Sequence, residues 1–308
     1  YVYDLQGIYG LTIPTAYYPP TPTRQRRASC KICIDNNYSS SKGFQNKRYK
    51  CMEVTAAHEF FHAVQYAYNV DADSWWKEAS ATWNEDEIYN DINDYVKYLD
   101  EILQTPEKSL DKSSYGGVIF AKYLSENYGG YRIIKSIWDI QGIAFDTSIK
   151  AINAAIKEKY PGENLGTVFK EYAASNFNPT QYYKDGHLWN RPYIQNVFQS
   201  YPAVLQNGKL DHLASSYHLF KPNDQNRDSS LKITVKCAPQ VKWGFKIQQK
   251  QKNDDLCNTV EIPIKRAYNR AEIIIHGFGK LYKEICLIPV NLENEIDRAD
   301  YNYSVNLL

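Results

Sequence analysis

The sequence predicts an α+β protein in two parts. A mostly helical domain with a small sheet occupies residues 1–204, and an antiparallel β-sandwich domain occupies 205–308. Three observations predict this. Apolar residues recur at helical spacing through the first part, as at Val54, Ala57, Phe61, Val64 and Tyr68. From about Lys209 the period changes to two, in short runs separated by Asn, Asp, Pro and Gly. A chain of 308 residues with a hydrophobic fraction of 43% can bury more than one core.

Taken in order, residues 1–13 read as a strand ending in a Gly-containing turn. Alternation is already under way at Tyr1–Ile8, so an upstream signal segment or propeptide is expected. Pro14, Pro19, Pro20 and Pro22 predict a loop from Pro14 to Arg27, closing in the basic run Arg24-Gln25-Arg26-Arg27, an exposed, nickable stretch or a processing site. Ser29–Asp35 alternates with Cys30, Ile32 and Ile34 on one face and reads as a strand. Residues 36–50, with Ser39-Ser40-Ser41 and Gly43, read as a loop. The helix that follows closes near Asn69, and a second opens with Asp73 or Ser74 as its N-cap.

Asp91–Leu103 is amphipathic and ends before Pro106. Ser113–Gly117 introduces a helix at Val118–Tyr128, closed by Gly129-Gly130. Further helices are expected at Tyr131–Ile140, Asp146–Lys159 and Glu163–Ala174. Strands are expected at Leu231–Cys237, Val241–Lys250, Val260–Lys265, Ala271–Gly277, Glu284–Leu292 and Asn302–Leu307. Nothing in those strands has metal-ligand or nucleophile spacing, and a packing role is expected of them.

Composition excludes some classes. A net charge of +1, with no basic stripe interleaved with aromatics, leaves no footprint for nucleic acid. No apolar run approaches the roughly 18 residues of a membrane span. The six cysteines fall into two groups of three, Cys30, Cys33, Cys51 and Cys237, Cys257, Cys286. Cys30 and Cys33 sit on opposite faces of their strand and are poor partners for each other. One or two disulfides in a secreted or cell-surface protein are expected.

Chemistry concentrates in Val54-Thr55-Ala56-Ala57-His58-Glu59-Phe60-Phe61-His62-Ala63-Val64-Gln65. His58 and His62 are one turn apart, offset by about 40° on a helix of 3.6 residues per turn. Two imidazoles so placed can share one ion, with Glu59 beside them to handle a proton. The pair suits Zn²⁺, which takes neutral imidazole nitrogens and keeps one position for water in catalytic sites. Only six histidines occur in the chain, so a chance match is roughly a one-in-a-hundred event. The metzincin extension is absent, because Gln65 and Tyr68 stand where a Gly and a His are needed. A carboxylate in the first turn of the second helix, Glu78 of Ser74-Trp75-Trp76-Lys77-Glu78-Ala79-Ser80-Ala81-Thr82-Trp83, can reach the imidazoles. Asp71, Asp73, Glu85 and Asp86 compete for that place. Small Ala79, Ser80 and Ala81 allow close approach, and three tryptophans bury the joint.

These two segments resemble the gluzincin branch of the zinc metallopeptidases. The similarity is to secreted peptidase-MA-type enzymes, and more distantly to thermolysin and the M1 aminopeptidases. It covers Thr55–Asp86 and extends more weakly through Tyr115–Gly130. The resemblance implies a zincin-like N-terminal domain, His58, His62 and Glu78 as ligands of one catalytic Zn²⁺, and Glu59 as general base in peptide or protein hydrolysis. Related enzymes bind extended peptide along an edge strand over the metal. Tyr115 resembles the tyrosine of a Tyr-x-x-Gly segment in M1-type enzymes, at a spacing that departs by one residue, and is the candidate oxyanion donor. His187, His212, His218 and His276 are alternatives for that donor without supporting context, and a structural role is expected of each. Glu85, seven residues after Glu78, faces the same way and is either a partner for a histidine or a surface charge.

The expected activity is that of an endopeptidase. The competing readings are a binding or adhesion module on a zincin scaffold and an aminopeptidase. Glu59 speaks for an enzyme, since a structural metal site has no use for a base. The Gly-x-Met-Glu-Asn element of M1 enzymes is absent: the one methionine, Met52, precedes Glu53 directly against the metal helix. Peptide deformylase shares the His-Glu pattern, but its companion motifs are missing. Ca²⁺ is a weaker expectation, raised by Asp71 and Asp73 without an EF-hand pattern.

Overall fold

A computed structural model describes residues 1–38, 48–144, 147–223 and 228–308. The loop expected around Ser39–Ser41 and Gly43, and Asp146 at the start of an expected helix, lie outside the described residues. The protein is mixed α+β, as the two periodicities predict, and its residues group into two compact units. One comprises Tyr1–Leu99 with Ser113–Asn164, the other Asp100–Lys112 with Leu165–Leu308. The change of period near residue 205 falls inside the second unit.

In the first unit, β1 (Val2–Tyr3), β2 (Gly10–Tyr18) and β3 (Arg27–Asp35) form a sheet in the order β1-β3-β2. β3 is therefore the interior strand and β2 an edge. The strand through Pro14 corrects the expectation of a loop from Pro14 to Arg27. Proline cannot give an N–H to a ladder, but it sits here on an edge strand beside a register shift between Pro14 and Ala16, where it is tolerated. The basic run is ordered as well. Arg24 closes a tight turn with Thr21, Arg26 Nε donates to Asp71 Oδ2 at 2.7 Å, and Arg27 opens β3.

Two helices follow, α1 (Arg48–Tyr68) and α2 (Ser74–Ile88). α1 packs on β2, β3 and α2. The turn between the helices is held by Asn69, whose Oδ1 accepts the Asp71 N–H at 2.9 Å. Asp73 occupies the N-cap position of α2 without capping it. Its carboxylate accepts the Ser148 N–H at 2.6 Å and so caps the helix Ser148–Lys159 instead. Trp75, Trp76 and Trp83 are buried as expected, and Trp83 Nε1 donates to Ser125 Oγ at 2.9 Å. Tyr38, Cys51, Val54 and Ile92 form a small apolar cluster with Tyr9, Ile34 and Tyr89 packed against it.

The helices Val118–Asn127, Tyr131–Gln141 and Ser148–Lys159 complete this unit close to their expected bounds. Gly129 and Gly130, at φ +89° and +68°, close the first of them, a conformation glycine adopts without a Cβ penalty. The amphipathic segment Asp91–Leu103 is not one helix. It folds as a 3-10 turn at Asp94–Tyr98 and a short helix at Asp100–Leu103, because the chain passes from one unit to the other at Leu99/Asp100. Tyr95, Leu99 and Leu103 stay buried all the same.

The second unit holds β4 (Asn196–Phe198), β5 (Ala203–Leu210), β6 (Ala214–Ser215), β7 (His218–Phe220), β8 (Ser229–Cys237), β9 (Trp243–Gln251), β10 (Cys257–Glu261), β11 (Ile264–Lys265), β12 (Arg270–Phe278), β13 (Tyr282–Asn291) and β14 (Ala299–Leu307). They form one hydrogen-bonded sheet of 11 strands with a main path β10-β9-β13-β12-β8-β14-β5. The runs β10-β9-β13 and β12-β8-β14-β5 are antiparallel and, among the described residues, pair through the parallel bridge Phe278–Tyr282. Leu231, Ile233 and Val235 of one run share a single core with Phe245, Ile247 and Leu287 of the other. The strand period thus buries one face of β8 and β14. β9 is buried on both faces, because the helix Leu165–Asn176 covers its outer side, with Gln248 Nε2 donating to Ala174 O at 2.8 Å. Residues 100–112 join this unit through backbone bonds such as Leu110 N to Leu213 O, 3.1 Å, and Ser215 N to Pro106 O, 2.8 Å.

All six cysteines are free thiols, so the one or two expected disulfides are absent. Register gives the reason for one pair. Cys257 lies opposite Lys250 and Cys286 opposite Gln248, on the two flanks of β9. Two strand spacings of about 4.8 Å then separate them, beyond the reach of a disulfide. No helix among the described residues is long and apolar enough to cross a membrane.

Candidate metal centre

Much of the buried face of α1 is polar. Thr55, His58, Glu59, His62 and Gln65 are all buried, Gln65 completely, alongside apolar Cys51, Val54 and Ala57, whereas Phe61, Val64 and Tyr68 at the other end of the expected apolar stripe are only half-buried. Turning imidazoles and a carboxylate inward costs free energy unless each finds a partner. Each one does.

His58 Nδ1 donates to Glu85 Oε1 at 2.6 Å, and His62 Nδ1 donates to Gln65 Oε1 at 2.7 Å. Gln65 is itself oriented, since its Nε2 donates to Lys77 O at 2.9 Å and to Ser80 Oγ at 3.1 Å. With both Nδ1 atoms so engaged, both Nε2 atoms are directed at Glu78. Glu78 Oε2 lies 3.2 Å from His58 Nε2 and 3.6 Å from His62 Nε2. Among the described residues, His58, His62 and Glu78 form the one group of three His, Cys, Asp or Glu side chains whose ligand-type atoms all lie within 4.8 Å of one another. Two imidazole nitrogens backed by a carboxylate and an amide, with one carboxylate oxygen, make a donor set that fits Zn²⁺.

The three groups also shift one another's titration. Burial works against charge on His58, but the Glu78 and Glu85 carboxylates outweigh it and push its pKa up to about 10. Burial would also raise Glu78, yet His58 and His62 overcome it and hold this carboxylate well below its usual range. Burial pushes Glu85 up to about 7, with His58 opposing.

The other candidates divide. Asp71 is paired with Arg26, Asp73 caps a helix, and Asp86 is paired with Lys122. The two aspartates behind the calcium expectation are thus both engaged within the protein. Glu85 does not take Glu78's place but holds the back of His58.

Glu59 stands outside the three-atom group. Thr12 Oγ1, on β2, lies 2.7 Å from Glu59 Oε2 and 2.8 Å from the Glu59 carbonyl oxygen. β2 approaches so closely at Gly10 that a Cβ there would lie 2.6 Å from both Glu59 Cγ and Thr55 Cγ2. Neither contact has a sequence signal, since 47 residues separate Thr12 from Glu59. Tyr115, in the 3-10 turn Tyr115–Gly117, is brought to the site. Its ring centroid is 5.7 Å from that of His58, and it stacks on Tyr98 at 4.7 Å. Gly117 permits the approach of that turn to α2, because a Cβ there would meet Ala79 Cβ at 2.9 Å. Burial, followed by the charges of Glu78 and its neighbours, raises the Tyr115 pKa, so the phenol stays a hydrogen-bond donor at neutral pH. Together with Gly10, Thr55, His58 and Glu59 it lines an open cleft of about 230 Å³.

The four remaining histidines belong to the second unit. His187 lies in an exposed turn, His276 Nδ1 is 2.8 Å from Ser230 Oγ, and His218 is buried against Tyr301, with burial lowering its pKa to about 3. His212 is a structural clasp. Its Nδ1 is 2.5 Å from Asp297 and its Nε2 3.1 Å from Asp111, while Lys112 faces Asp297 at 2.7 Å and Asp211 at 3.5 Å. The Asp111 and Asp297 carboxylates raise the His212 pKa, and the cations lower theirs. A raised histidine stabilises below its unfolded value of about 6.5 and loses that contribution as pH rises through the folded value; the lowered aspartates contribute above about 4. His212→Gln is therefore expected to lower the thermal midpoint at pH 5.5 and to do so less at pH 9. The effect is about 1 kcal/mol, discounted because Asp297 is partly exposed. An equal loss at both pH values in thermal unfolding contradicts the assignment.

No family model matches the chain, and no curated protein matches it. Three solved structures show limited likeness. The pre-peptidase C-terminal domain of a collagenase from Bacillus anthracis is 14% identical, covering 39% of this chain and 99% of that one, at a TM-score of 0.27. A 4-O-methyl-alpha-glucuronidase with specificity for decorated arabinogalactans is 11% identical, covering 57% of this chain and 28% of that one, at 0.22. A xylan-binding domain from Paenibacillus barcinonensis is 13% identical, covering 35% and 76%, at 0.19. At such TM-scores these likenesses carry no weight for fold or activity.

Proposed function

We propose that the protein is a zinc-dependent peptidase of gluzincin type, an endopeptidase whose first unit is zincin-like. The observation that carries this is the His58–His62–Glu78 group, with both imidazoles held from behind by Glu85 and Gln65 and with Glu59 beside the group but not in it. A site built to hold a metal structurally needs no such spare base, which disfavours a silent binding module.

His58, His62 and Glu78 would hold the zinc. When bound, zinc supplies Lewis acidity and makes a water acidic enough to lose a proton near neutral pH. Glu59 takes that proton as the water attacks the peptide carbonyl and passes it to the leaving amine. The Tyr115 hydroxyl donates to the carbonyl oxygen as negative charge gathers there. β2, an edge strand packed on α1, is the edge to which an extended peptide would add, and Gly10 lets that strand lie close to Glu59.

The test is removal and return of the metal. Stripped with a chelator, the protein is expected to lose cleavage of an unfolded protein substrate and to regain it with one equivalent of Zn²⁺. Zinc uptake at one equivalent without cleavage of any unfolded substrate would favour the binding-module reading.

A further inference from the structure

The contact between Thr12 and Glu59 has a consequence for the base. We infer that Thr12 is a positioning residue for Glu59, holding the carboxylate at one place; this rests on the peptidase reading.

A hydroxyl has one proton to give and lone pairs to accept with. Thr12 Oγ1 faces two oxygens of the same residue, Oε2 at 2.7 Å and the main-chain carbonyl at 2.8 Å. Its single proton can go to either, so one hydroxyl ties the Glu59 carboxylate to the main chain of its own residue.

The geometry around the pair supports this. Thr12 is buried on an edge strand, the close approach at Gly10 fixes that strand over Glu59, and the carbonyl it reaches belongs to the helix α1. Glu59 therefore has one rotamer held at both ends of its own residue. A carboxylate free to swing would spend part of its time out of reach of the water, which lowers turnover more than substrate binding.

The test compares zinc-loaded wild type, Thr12→Val and Thr12→Ser on a quenched fluorescent peptide that the wild type cuts. Thr12→Val, which keeps shape and loses the hydroxyl, is expected to lower kcat about tenfold or more with KM within about twofold and zinc content unchanged. Thr12→Ser is expected to keep kcat within about threefold. Crystal structures supply a second readout: Glu59 in one rotamer in wild type and serine variant, and displaced or split in the valine variant. Should Thr12→Val not fold, Thr12→Ala is read by the same measures. Unchanged kcat in the valine variant, equal loss in the serine variant, a change confined to KM, or an undisturbed Glu59 rotamer overturns the inference. An active wild type with such a result leaves the peptidase reading intact. A zinc-loaded wild type that cuts nothing brings down that reading and this inference with it.

Discussion

Glu59→Gln is expected to bind zinc as the wild type does and to cut unfolded protein about a thousandfold more slowly. The amide matches the carboxylate in shape and can still receive the Thr12 hydroxyl through its oxygen, so the fold around α1 should not change. What it cannot do is take a proton from water and return it to an amine. The comparison is steady-state cleavage at equal zinc content. Retention of more than about a tenth of wild-type activity contradicts the role of Glu59, since removing a general base costs roughly 10²–10⁴ in rate.

Glu78→Gln is expected to act on the metal itself. It removes the one anionic member of the three-atom group and leaves two neutral imidazoles, so zinc affinity should fall by more than the roughly 10–100-fold typical of changes behind the ligands. Cleavage at limiting zinc falls in step. In the metal-free protein His58 is pushed up to about 10, so it carries a proton at neutral pH and zinc must displace it. Uptake therefore releases protons and strengthens as pH rises towards 10. Calorimetry in buffers of different ionisation enthalpy reads both the affinity and the protons, and an affinity in the variant within a few-fold of wild type would remove Glu78 from the site.

The parts of this site that were legible are those fixed by local periodicity. His58 and His62 lie one helical turn apart, and the short turn at Asn69–Asp73 brings α2 back so that Glu78 faces them. Glu85 could be aligned with Glu78 by spacing, but only packing decides whether it points at an imidazole or at water. Gln65 reads in the sequence as a mismatch to another zinc pattern, yet it orients His62. Gly10 and Thr12 were illegible because their partner lies across a strand crossing that no spacing encodes.

Elsewhere the failures have the same character. Pro14 reads as the start of a loop because a local rule cannot see that β2 is an edge with an irregular register, whereas Pro19, Pro20 and Pro22 do fall between β2 and β3. Asp73 reads as the cap of its own helix and caps another. The second unit was legible in β8 and β14, where one face is buried, and less so in β9, where a helix covers the other face and erases the alternation.

The most direct measurement is a crystal structure of the zinc-loaded protein with diffraction data collected on both sides of the zinc absorption edge. The account predicts one anomalous peak bonded to His58 Nε2, His62 Nε2 and a Glu78 carboxylate oxygen. A zinc-loaded crystal with no peak there, or with zinc held by other side chains, would contradict it.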